Sequence, residues 1–168
     1  MRMATLLARK WRSFGGYPLA VRMLVPVAFV LLGLARLAIL ILPFRLYAPL
    51  LGQRRPQQAE RDWREGPSLD PPQDGRAFAI KQAIRVAARL TPWRSVCLPQ
   101  ALVAAALMRP LGIGFTAHLG VTRDDEGAGP MQAHAWTVAG GAIVTGAGQL
   151  ARYTRVARFV HDPQRRLR

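Results

Sequence analysis

Hydrophobic and polar positions change their rhythm along the chain, and each change marks an element. Residues 23–44 form an apolar run broken only by Arg36 and stopped at Pro43. Residues 53–75 are polar and rich in proline and charge, with no period, and read as a linker. Ala77, Ile80, Ala83, Ile84 and Ala87 then recur at helical spacing, predicting an amphipathic helix over 76–90. Pro92 biases Thr91 away from helix and marks a break. A second helix is predicted from about Leu98 to Met108, apolar on nearly every side and therefore buried. Pro99 suits its first turn, and Pro110 with Gly112 stops it. From Phe115 the period shifts towards two. Strands are predicted over 115–121, 132–138 and 142–145, the last two joined through Ala139-Gly140-Gly141, with a further strand over 153–160.

The pattern predicts an α+β fold, with helices packed on a small antiparallel sheet. It divides the chain into a basic segment and hydrophobic helix (1–52), a linker (53–75), a compact core (76–160) and a basic tail (161–168). Residues 124–130 read as an acidic, flexible loop inside the core.

The apolar run is long enough to cross a bilayer. A central arginine costs roughly 2.5–3.5 kcal/mol, which a dozen or so apolar residues at roughly 0.3–0.6 each slightly outweigh. Basic residues flank both ends, so charge assigns no orientation. Arg22 and Arg36 fall within about 40° of each other on a helical wheel, as in a helix lying on a surface or packed on the domain. The basic segment before the run resembles the start of a signal peptide, but the run is too long for one and no small-residue cleavage site ends it.

Charge narrows the partners. The chain carries 24 Lys+Arg against 9 Asp+Glu, a formal net charge of +15, and nearly every basic residue is arginine. That balance suits an anionic lipid surface, an acidic peptide or protein, or nucleic acid, although a general preference for arginine would produce it too. No recognition helix or aromatic-basic strand motif supports nucleic acid. A single cysteine rules out an intramolecular disulfide. Cys97 with His118, His134 and His161 matches no zinc spacing, so neither metal nor cofactor is expected. The reducing cytoplasm fits best, with membrane contact through residues 19–51 as a further expectation.

Cys97 stands at the mouth of the buried helix, and His134 on the first strand of the hairpin. Helix-start amides lower a thiol pKa and stabilise an oxyanion; an imidazole lowers the thiol further and later protonates a leaving amine. On its strand His134 shares a face with Gln132 and Trp136. A lone cysteine or histidine is more often a structural residue, so the order and setting of the pair carry the signal, not either residue alone.

Pro92-Trp93-Arg94-Ser95-Val96-Cys97-Leu98-Pro99-Gln100-Ala101, then Leu119-Gly120-Val121, Ala133-His134-Ala135-Trp136, Ile143-Val144-Thr145-Gly146 and Val156-Ala157-Arg158-Phe159 together resemble the transglutaminase-like leader peptidases of lasso-peptide biosynthesis. The resemblance covers about residues 78–160. It implies a papain-like thiol hydrolase in which Cys97 matches the nucleophile and His134 the base. The implied reaction removes the leader from a ribosomally made precursor peptide, after which an asparagine-synthetase-like lasso cyclase closes the ring. Residues 1–75 do not read as the leader-recognition domain that some members carry, so a separate small protein is expected to present the leader. One departure stands out. The family often places an aspartate on the return strand where this chain has Gly146. The pair then acts as a dyad, or its orienting group comes from the Asp124–Glu126 loop or a backbone carbonyl, or the protein is weakly active or inactive.

The remaining candidates read as structural. Trp93 and Trp136 are expected as core anchors or cleft walls, Gln100 as an ordinary helix residue with a cleft-facing alternative, and His118 as a core histidine. The same pair would also serve another amide hydrolase or acyltransferase. A membrane-associated scaffold with a structural Cys97 is the non-enzymatic alternative.

Overall fold

The structure is a computed structural model that describes residues 16–56, 66–122, 130–148 and 150–164. Helix α1 (Leu19–Ile41) follows Pro18 and gives way at Leu42-Pro43, where the proline's missing amide ends the ladder. A short helix α2 (Phe44–Tyr47) and a 3₁₀ turn (Ala48–Leu51) lead to strand β1 (Gln53–Arg55). Helices α3 (Pro71–Leu90) and α4 (Cys97–Met108) follow. Strands β2 (Phe115–Thr122), β3 (Gln132–Ala139), β4 (Ala142–Thr145) and β5 (Thr154–His161) complete the α+β fold. The five strands form one antiparallel sheet in the order β1-β5-β2-β3-β4.

Two parts of the expected linker belong to regular elements. Gln53, Arg54 and Arg55 pair with Val160, Phe159 and Arg158 of β5. All three side chains are exposed, so no alternation marked the strand. Pro71–Gly75, read as linker, is the start of α3. Asp70 Oδ1 accepts the Gln73 backbone amide at 2.8 Å, and Gln73 Oε1 accepts the Asp70 amide at 3.3 Å. This reciprocal cap starts the helix, and prolines in its first turn lack only amides that would have no helical partner there. At the other end of the chain His161, expected in the tail, is the last residue of β5.

One face of the sheet packs on the helices. Phe115, Ala117, Ala135, Ala139, Val144 and Phe159 join Leu102, Ala105 and Met108 of α4 and Ile80 and Ile84 of α3 in the main core. Val21, Val25, Ala28 and Leu32 of α1, spaced as one helical stripe, are buried in that same core. The opposite face of the sheet carries a smaller cluster of Trp136, Val138 and Leu150, with Ile143 and Tyr153 against it.

β4 is short and pairs only with Thr137–Ala139 of β3. It leaves the sheet at Gly146, so among the described residues no strand pairs with the β3 edge from Gln132 to Trp136 on that side. The mouth of α4 comes to this uncovered edge.

Candidate active site

Cys97 is the first residue of α4 and is half-buried. The loop before it is tied down locally. The Thr91 hydroxyl lies 3.0 Å from the Ala88 carbonyl oxygen, 3.1 Å from that of Trp93 and 2.8 Å from Ser95 Oγ. Gln100 Nε2 donates to the Ser95 carbonyl at 2.7 Å, so this side chain braces the loop and does not face a cleft. Trp93 anchors the loop to α1. Its ring sits 5.6 Å from that of Phe29, and Gly33 leaves it room: a Cβ there would lie 3.3 Å from Trp93 Cζ2.

The structure brings Cys97 and His134 together in a hydrogen bond. They belong to different sides of the sheet. Cys97 packs on the helix side, whereas His134 stacks near Trp136 of the smaller cluster, their ring centres 6.1 Å apart. The two meet around the β3 edge that β4 leaves uncovered. There the backbone amide of Ala135, with no strand to receive it, turns to the Cys97 sulfur, and the Leu98 amide at the helix mouth does the same.

His134 Nε2 lies 2.8 Å from the carbonyl oxygen of Gly146. A carbonyl only accepts, so Nε2 carries the proton and Nδ1 is left to face Cys97. The orienting group is therefore a backbone carbonyl. Gly146 adopts φ +74°, and a Cβ at this position would fall on the Ala135 carbonyl oxygen and within 2.8 Å of Trp136 Cα. No side chain fits there, which explains the glycine where the resemblance led us to expect an aspartate. Among the described residues the carboxylates are Asp70, Asp74 and Asp162, and none of them acts on His134. The Asp124–Glu126 loop lies outside the described residues.

Aromatic rings hold the imidazole in place. Tyr153 lies against it with ring centres 4.8 Å apart. Trp136, fully buried, stacks in turn on His118 at 5.1 Å. Trp136 is thus a core anchor, and His118 is a buried core residue of the same stack. Gly120 makes space for this arrangement: a Cβ there would lie 2.9 Å from Trp136 Cζ3 and 3.0 Å from Tyr153 Cβ. Tyr153 was expected as the first residue of the last strand, which begins one residue later at Thr154 after a 3₁₀ turn (Leu150–Arg152); no sequence signal placed its ring at the site.

The surroundings shift both groups. Burial pushes the Cys97 thiol up, but the hydrogen bond from His134, the Ala135 amide, the imidazole's charge and the Leu98 amide together outweigh it, and the thiol sits below the ordinary cysteine value. The hydrogen bond to Cys97 raises His134, burial opposes it, and the Gly146 carbonyl and the thiolate charge add to the rise. Both shifts favour a thiolate beside an imidazolium. Such a pair supplies a nucleophile and a proton donor at one point.

The profile of the transglutaminase-like superfamily matches residues 38–158. The chain belongs to the transglutaminase-like superfamily. No curated protein and no solved structure matches it. Membership suggests a cysteine-protease-like or acyltransferase fold, and the superfamily is typically one of cysteine-protease-like enzymes. The superfamily match contains Cys97, His134, Gly146 and Tyr153, as well as the end of α1.

Proposed function

We propose that this transglutaminase-like protein is a cysteine peptidase that removes the leader from a ribosomally synthesised lasso-peptide precursor. The observation that carries the reading is the Cys97–His134 contact, with the far nitrogen of the imidazole fixed on the Gly146 carbonyl. The leader and the lasso product come from the sequence blocks around these residues, which resemble those of the lasso leader peptidases.

In this mechanism the Cys97 thiolate attacks the scissile carbonyl carbon, and the C–N bond breaks as His134 Nδ1–H passes its proton to the leaving amine. The leader then remains as a thioester on Cys97. Neutral His134 next takes a proton from water as the water oxygen attacks the thioester carbon. Cleavage of the C–S bond releases the leader acid and restores the thiolate. The Gly146 carbonyl keeps Nε2–H in place throughout, so Nδ1 is the nitrogen that gains and loses the proton. Amides at the mouth of α4 stabilise the tetrahedral oxyanion.

A lone thiol nucleophile suits the reducing cytoplasm. A separate small protein delivers the leader, and an asparagine-synthetase-like cyclase consumes the freed core peptide. The test is to incubate the full chain with precursor and candidate leader-binding protein and to follow release of leader by mass spectrometry. Cleavage that disappears in Cys97→Ala and in His134→Ala supports the reading. Transfer of the leader acyl group to an added amine in preference to water would point to an acyltransferase. Maturation undiminished in Cys97→Ala would make the protein a scaffold.

A further inference from the structure

Helix α1 has a second apolar face that the fold does not use. Val21, Val25, Ala28 and Leu32 are buried. Met23, Val27, Val30, Leu34, Leu37 and Ile41 lie opposite, alternately four and three residues apart, and remain between 46% and 67% exposed. Leu19 extends this face towards the helix start and Leu40 widens it, and exposed Leu42, Phe44 and Leu46 continue the apolar surface past Pro43. We propose that this face seats the protein on an anionic membrane surface, with α1 lying in the interface and not crossing it.

Packing excludes a crossing. The buried stripe of α1 lies against α3 and α4. Arg76, Arg85 and Arg89 of α3 are exposed. A transmembrane α1 would carry this partner helix into hydrocarbon, where each arginine costs roughly 2.5–3.5 kcal/mol or more.

The apolar face favours lipid over a second copy. A two-helix seam is a narrow stripe, whereas here the exposed apolar arc spans roughly 140° of the helix and extends beyond its end. Charge adds to this. Arg22 and Arg36 sit together on one flank between the buried stripe and the apolar face, and exposed Arg45 follows the break at Pro43. That is where headgroup phosphates would lie if the apolar face dipped into the acyl region. The net charge of +15 favours an anionic leaflet, at about 1 kcal/mol for each basic residue near it.

The experiment is flotation of the full chain with vesicles of phosphatidylcholine and phosphatidylglycerol in equal parts, and with phosphatidylcholine alone. The protein is expected to float with the anionic vesicles and to bind neutral ones about tenfold or more weakly. The triple variant Val30→Glu/Leu34→Glu/Leu37→Glu, at exposed positions, should lose at least about a hundredfold in binding. Its melting temperature and Cys97 alkylation rate should match the parent's. Depth is read with an environment-sensitive dye in the Cys97→Ser background: Leu34→Cys should shift blue on anionic vesicles, and Arg85→Cys should not. The proposal is overturned if the parent stays unbound with anionic vesicles, if the triple variant binds equally, or if Arg85→Cys shifts as strongly as Leu34→Cys. It is also overturned if the unbound parent sediments as a dimer that the triple variant dissociates, which would assign the face to a second copy.

Discussion

His134 Nε2 meets the backbone carbonyl of Gly146 at 2.8 Å, and this main-chain oxygen takes the orienting place that a carboxylate fills in a catalytic triad. The carbonyl fixes the tautomer and the ring, but it brings no full negative charge to the imidazolium. An aspartate introduced here would not restore a triad, because the residue stands at φ +74° with Ala135 and Trp136 against the missing Cβ. Gly146→Asp and Gly146→Ala are both expected to lose roughly 2–4 kcal/mol of stability, from left-handed strain and overpacking. Denaturant unfolding checks this, and thiol reactivity should fall in both variants even where they fold.

The pH dependence of cleavage follows from the two shifts. Thiolate appears as pH rises through the lowered value of Cys97, and imidazolium is lost as pH rises through the raised value of His134. The productive pair is populated between the two, so the rate should be bell-shaped in pH. His134→Ala should lower the rate by about 10²–10⁴ and remove the basic limb that it sets.

His134 owes its raised value first to the hydrogen bond with Cys97. In Cys97→Ala the imidazole should therefore titrate at lower pH than in the parent, as followed by NMR of its ring protons. An unchanged titration would mean that the two side chains do not interact in solution.

Gly120→Ala tests the aromatic support. The added methyl would meet Trp136 and Tyr153, which both lie against His134. A cost of about 1–3 kcal/mol is expected from overpacking. Cleavage should slow further than that loss explains, because the imidazole is displaced; comparison of rates under fully folded conditions separates the two effects.

Much of this arrangement was legible because burial imposes period. The all-apolar run from Ala101 to Met108 and the alternation through Gln132–Val138 set α4 and β3, and with them Cys97 at a helix mouth and His134 on a strand. Their distance was not legible, since it depends on how early β4 leaves the sheet. β1 escaped notice because it buries neither face, and the start of α3 because its prolines and glycine look like breakers until Asp70 and Gln73 are seen to cap each other. Gly146 was visible only as a departure from the expected aspartate. Its acceptor is main chain, and a backbone carbonyl has no letter in the sequence.

The central claim is that Cys97 and His134 form one ionised pair. With only one thiol in the chain, alkylation rate against pH in the folded protein, parent beside His134→Ala, tests it most directly. The parent should react rapidly, with an inflection clearly below the value of about 8.5 of a free cysteine, and the variant should react slowly at neutral pH with its inflection moved up. An inflection near the free value that ignores the loss of His134 would contradict the account.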